Sequence, residues 1–233
     1  MSQFQLDAKH HAVMFGCLVR NTLKHLGDEI GAAAVKEAVV LYGKQRGTRM
    51  AMRAKAAGFP LTMSAYNTLR EWKVLSDADA HKSAPYAGDA DYKVSVSVAC
   101  PWHSAWKEYG MEAEGLYYCS DVDAAILNGF NSSLTLKVEK LLTKGDGCCE
   151  MHWLDDTASA EQVDASSAAK VLPWGYHVCH LYCSFISVLS KYAQCKDVLA
   201  DAKAQFTGLF GENSLDEMAP YMTYNFASLP KEG

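Results

Sequence analysis

The chain has 233 residues, 49% of them hydrophobic and 21% charged, enough to bury a sizeable core and too apolar for disorder. A net charge of −5 and a single short basic run, Lys44 to Lys55, argue against a general nucleic-acid binder, which needs clustered cations to neutralise phosphates. No membrane partner is expected either, because the most apolar run, Val178 to Leu189, is too short to span a bilayer and is interrupted by His180, Tyr182, Cys183 and Ser184.

In chain order, residues 7 to 29 predict an amphipathic helix with Asp7 as its N-cap. A second helix is expected from about Ala32 to Ala57, stopped by Gly58-Phe59-Pro60. Inside it, Gly43 and Gly47 each cost about 1 kcal/mol relative to alanine, which points to close packing of another backbone or room for a ligand. Ser64 to Leu75 reads as a third helix and Asp77 to Asp91 as a loop. Tyr92, Val94, Val96 and Val98 then alternate with smaller or polar residues, a strand that Pro101 must end, leaving Cys100 at its tip. Residues 102 to 111 are expected helical, and a further helix is expected to begin at Cys119 and end near Gly129. Leu134 to Val138 and Cys148 to Leu154 read as two strands of a hairpin around Gly145-Asp146-Gly147. One long helix is expected from about Trp174 to Phe206, and the tail to Gly233 has no strong pattern. No linker divides the chain, so the expectation is a single α+β domain over 1–233: a helical part at 1–76, a small, mostly antiparallel sheet within 90–155, and a long C-terminal helix within 171–210.

Thiols, imidazoles and carboxylates concentrate between Cys100 and His152. Cys119 and Asp123 are four apart and so share a helix face, and a cysteine in the first turn of a helix would be activated by the helix dipole. Cys100 at a strand end and Cys149 after a turn are the other corner thiols, with His103 three residues beyond Cys100. His103 could act as a base, or complete a Cys/His metal set with Cys119 and His152; buried packing is the plainer role for any one cysteine. Asp146 reads most simply as a turn aspartate. Arg46 and Arg49, three apart, form either a carboxylate clamp or a solvated basic face. A second dense group, His177, Cys179, His180 and Cys183, has spacing suited to a helix-borne metal site, but its apolar surroundings favour a core role. Eight cysteines with no paired CxxC motifs, behind an N-terminus without an apolar leader, suggest reduced thiols in a cytoplasmic protein. An apolar helix face would serve a core or a homo-oligomer equally well.

The set Tyr42-Gly43-Lys44-Gln45-Arg46-Gly47, Cys100-Pro101-Trp102, Tyr118-Cys119 with Asp123, Gly129-Phe130-Asn131, and Gly145-Asp146 with Cys149 resembles the L-2-amino-thiazoline-4-carboxylic acid hydrolase family over roughly residues 35 to 155. The resemblance implies hydrolysis of a non-peptide carbon–nitrogen bond in a small cyclic amidine, opening a thiazoline carboxylate toward a carbamoyl-cysteine. Such chemistry asks for a nucleophile at the amidine carbon, a proton carrier and a cation for the carboxylate. Residue types suggest Cys119 as nucleophile with Cys100 next, Asp123 or Asp146 managing the proton, His103 as auxiliary base and Cys149 alongside. Arg46 and Arg49 would hold the carboxylate, with Tyr42, Tyr118 and Trp102 lining the substrate site. No cofactor is expected. The alternatives are a module that binds a small molecule, zinc or iron without turnover, and a lyase on the same scaffold.

Overall fold

The computed structural model describes residues 5–69, 71, 82–85, 91–157 and 159–229. Helix α1 (Ala8–Leu26) starts at the expected Asp7, whose carboxylate takes the His10 amide at 3.1 Å while the His10 ring takes the Asp7 amide at 3.1 Å. Gly27, at φ 77°, ends α1 and turns the chain straight into α2 (Asp28–Ala56). The third helix, α3 (Met63–Thr68), stops earlier than the expected Leu75.

Four strands follow the spatial order β1-β2-β4-β3, all antiparallel: β1 (Lys82–Pro85), β2 (Tyr92–Ala99), β3 (Leu136–Lys140) and β4 (Cys149–Thr157). Strand β1 corrects the expectation of an uninterrupted loop over 77–91, most of which lies outside the described residues. β3 and β4 make the expected hairpin, joined through a 3-10 turn at Leu142–Lys144.

Helix α4 (Pro101–Glu108) begins directly at the end of β2, with Cys100 at its N-cap and Pro101 at its first position. Helix α5 runs Glu112–Phe130, so it begins seven residues before the start expected from sequence. Val122, Ala125, Ile126, Leu127 and Phe130 form its buried stripe, and Gly115 packs against the Trp106 ring.

The long C-terminal helix proves to be two, α6 (Trp174–Leu189) and α7 (Cys195–Phe210). A straight helix over that whole span would be about 55 Å long, far beyond the roughly 17 Å radius of gyration of a compact chain this size. Breaking after Leu189 lets α7 fold back along α1, where Val198, Ala202 and Phe206 are buried. No glycine or proline marks the break, because packing makes it. The tail also contributes: a 3-10 helix (Glu212–Tyr221) lies on α6, and Phe226 is buried with its ring stacked 4.6 Å from His180.

Packing of α2 against α5 positions the site. Gly43 and Gly47 of α2 are there because α5 leaves no room: a Cβ on Gly47 would lie 1.9 Å from the Ile126 carbonyl oxygen, and one on Gly43 2.6 Å from Ala125 Cβ. Gly129 of α5 reciprocates against Lys44, where a Cβ would lie 2.2 Å from the carbonyl oxygen. Close approach of the two backbones sets Tyr42 and Arg46 of α2 opposite Tyr118 and Asp123 of α5.

Candidate active site

Arg46 of α2, Tyr66 of α3, Cys100 at the start of α4, Cys119 of α5 and Cys149 of β4 surround Asp123. Burial pushes its carboxyl up to about 6, and the Arg46 guanidinium opposes that rise. The residue as a whole is half-buried on α5. The field of Asp123 acts in turn on Cys100, Cys119 and Cys149, which also perturb one another, so the three corner thiols do gather around this carboxyl.

None of the three thiols is activated at rest. Cys119 lies eight residues into α5, not in its first turn, so the expected dipole effect is absent. Burial lifts its thiol well above the ordinary value, and Cys100, Asp123 and Cys149 lift it further. Burial raises Cys100 to about 11 although the amides of His103 and Trp102 at the start of α4 pull against it. Burial raises Cys149 as well, against the Leu142 amide, whose nitrogen is 3.4 Å from the sulfur.

The other expected residues separate into those beside Asp123 and those engaged elsewhere. Tyr42 and Tyr118 are buried next to Arg46, whose guanidinium lies 5.8 Å over the Tyr42 ring. Asp146 is exposed and accepts the Leu141 amide at 2.8 Å, the role of a turn aspartate. What His103 brings to Cys100 is its backbone amide. The set of Cys119, His103 and His152 does not assemble: Cys149 and His152 lie on opposite faces of β4, and His152 meets Glu150 at 2.8 Å and the Tyr92 hydroxyl at 3.3 Å.

Arg46 and Arg49 do clamp a carboxylate, but it is the chain's own. Glu71 is buried and receives Arg49 at two points, Nε to Oε1 at 3.1 Å and Nη2 to Oε2 at 3.0 Å. Arg53 donates to Oε1 at 2.5 Å, and Arg46 approaches Oε2 through Nε at a longer 3.4 Å. Burial alone would raise this carboxyl; Arg49 and Arg46 instead hold it down at about 2. Arg49 also donates to the Phe226 carbonyl and to His180, so its donors are engaged within the protein.

Three buried histidines complete the surroundings, and His11 carries no motif signal. Trp102 can only donate, so its 3.0 Å bond fixes His11 Nδ1 as acceptor and leaves Nε2–H for the Tyr42 hydroxyl, also at 3.0 Å. By the same logic Arg49 makes His180 Nδ1 an acceptor, and His180 Nε2–H donates to Gln45 Oε1 at 2.8 Å. His177 Nε2–H donates to the Glu71 carbonyl at 2.9 Å. Burial keeps all three neutral, holding His177 down at about 3 and His11 and His180 well below the ordinary value. His177 and His180 thus belong to the core, as their surroundings suggest. Among the described residues, no group of three or more His, Cys, Asp or Glu side chains is placed to hold a metal, and no helix is long and apolar enough to cross a membrane.

The architecture is that of an α+β protein with a carboxyl set between thiols and a buried arginine network. A family model described as L-2-amino-thiazoline-4-carboxylic acid hydrolase matches residues 7–153, and the chain belongs to that family. The match extends through α1, and so takes in His11, which lies outside the motifs that carry the resemblance. No curated protein and no solved structure matches the chain.

Proposed function

We propose that the chain is a hydrolase that opens a small cyclic amidine bearing a carboxylate, by breaking a ring carbon–nitrogen bond. The observation that carries this reading is the Asp123 carboxyl, raised to about 6 and adjacent to Arg46. A group that exchanges its proton near neutral pH is suited to general acid–base work. An amidine carboxylate is complementary to the pair, with its cationic amidinium toward Asp123 and its carboxylate toward Arg46.

In the proposed reaction, ionised Asp123 takes a proton from a water molecule as the water oxygen bonds to the amidine carbon. Collapse of the tetrahedral intermediate breaks the bond to the ring nitrogen, which receives the proton back from Asp123. For a 2-amino-thiazoline carboxylate the product is an S-carbamoyl-cysteine. Tyr42 and Tyr118 line the Arg46 side and keep bulk water from it. Direct attack by Cys119 is the less favoured route, because burial and the neighbouring Cys100, Asp123 and Cys149 hold its sulfur as the thiol rather than the nucleophilic thiolate.

The test is steady-state hydrolysis of 2-amino-thiazoline-4-carboxylate with the product identified by mass spectrometry. Asp123→Asn is expected to lower kcat by about 10²–10⁴-fold, whereas Cys119→Ala keeps most turnover. Full activity in Asp123→Asn would remove the proposal; loss of activity in Cys119→Ala with retention in Asp123→Asn would restore the thiol as nucleophile.

A further inference from the structure

The second cysteine group divides across α6. His177 and His180 face the Glu71 network, while Cys179 and Cys183, four residues apart, share the face that meets the C-terminal tail. There the Cys179 sulfur lies 3.9 Å from the Cys183 sulfur and 3.5 Å from the Met222 thioether, just past the 3-10 helix. Cys179 is fully buried, Cys183 is half-buried and Met222 is 39% exposed, so the three sulfurs run from the core to solvent.

Two simple uses of paired thiols fit this geometry unequally. A disulfide needs Cβ atoms about 3.5–4.5 Å apart, but helix positions four apart hold them at about 5–6 Å. Oxidation would therefore unwind α6 in the middle of the core. A metal ion bridges the gap without moving the helix: two metal–sulfur bonds of about 2.3 Å meeting at a trigonal angle span about 4 Å. Zinc would call for four ligands of the Cys, His or carboxylate type, and these thiols have no such third partner among the described residues. Thiolate and thioether together are ligands for a soft monovalent ion.

We propose that Cys179, Cys183 and Met222 form a binding site for monovalent copper, separate from the hydrolytic site. Binding one ion displaces the two thiol protons to solvent and leaves the copper in three-coordinate sulfur surroundings, with no change of oxidation state. Met222, on the exposed side, closes over the ion last.

The experiment titrates the reduced full-length chain, under anaerobic conditions, with Cu(I) held by the chromogenic chelator bicinchoninate. Wild type is expected to withdraw a single tight equivalent. Cys183→Ser should lose it, Met222→Leu should bind at least about tenfold more weakly, and Cys119→Ser should bind as wild type does. Absence of uptake, uptake retained in Cys183→Ser, or uptake abolished in Cys119→Ser would each overturn the proposal, the last by moving the ion to the thiols around Asp123. Circular dichroism checks that each variant is folded. Should Cys183→Ser not fold, the exposed Met222→Leu variant decides: unchanged affinity there overturns the site.

Discussion

Arg49 grips Glu71 through two parallel hydrogen bonds, 3.1 and 3.0 Å long, with both side chains fully buried. Arg46 and Arg53 converge on the same carboxylate from the same face of α2, so one negative charge organises three positive ones. Taking it away leaves those guanidiniums buried without their shared partner. Glu71→Ala is therefore expected to lose about 3–5 kcal/mol of stability, measured by urea unfolding. Because the folded carboxyl is held below its ordinary value, Glu71 stabilises the protein above pH 4.5 and that contribution is lost as pH falls toward 2. A Glu71→Ala protein as stable as wild type would show that the network contributes nothing net.

Asp123 works against stability. Its folded value near 6 lies above its ordinary 3.8, so the native state resists ionising it, and stability is lost as pH rises between those values. Two pKa steps correspond to about 3 kcal/mol at most, and partial exposure reduces that to roughly 1–3 kcal/mol. Asp123→Asn should accordingly be more stable than wild type at pH 8 and should lose this advantage by pH 4, while hydrolysis is lost at both. Chemical denaturation at the two pH values reads the difference; equal stability at pH 8 would show that the carboxyl is well solvated.

His11, His177 and His180 predict the acid limit of the fold. All three stay neutral in the native state far below their ordinary 6.5, so the unfolded chain binds protons that the folded chain refuses. Stability falls as pH drops below 6.5, by about 4 kcal/mol per pH unit once all three are protonated in the unfolded state, with Asp123 offsetting about a third of it between 6 and 3.8. His177→Gln should reduce the slope by about a third. A denaturation midpoint that does not move between pH 6.5 and 5 would contradict the neutral assignment.

Periodicity made the local elements legible: Asp7 capped its helix, Tyr92 to Ala99 formed its strand, and the glycines of α2 marked a close backbone contact. Features decided by packing were not legible. The helix bearing Cys119 begins seven residues early because Gly115 fits under Trp106, and that shift removes the dipole argument for a thiolate. The break between α6 and α7 has no glycine or proline to announce it. Within the candidate site, Arg46, Asp123 and the three corner thiols could be chosen by residue type and spacing. Glu71 and His11 could not, since a single glutamate or histidine outside a motif says nothing of what a distant helix will bring to it.

Gly47 joins the fold to the chemistry. A methyl group there would meet the Ile126 carbonyl oxygen at 1.9 Å and the Phe130 amide nitrogen at 2.5 Å, both backbone atoms that cannot rotate away. Alanine ordinarily favours a helix by about 1 kcal/mol over glycine, but relieving this overlap forces α2 and α5 apart, a cost of about 1–3 kcal/mol or more. Gly47→Ala should thus be destabilised, whereas Gly208→Ala in α7, where a Cβ meets nothing within 4 Å, should be neutral or stabilised. Arg46 rides on α2 and Asp123 on α5, so the same displacement separates the two groups assigned to the substrate. Hydrolysis by Gly47→Ala, corrected for its folded fraction, should fall with a raised KM. An unchanged KM in the folded protein would mean that the site does not depend on the spacing of these two helices.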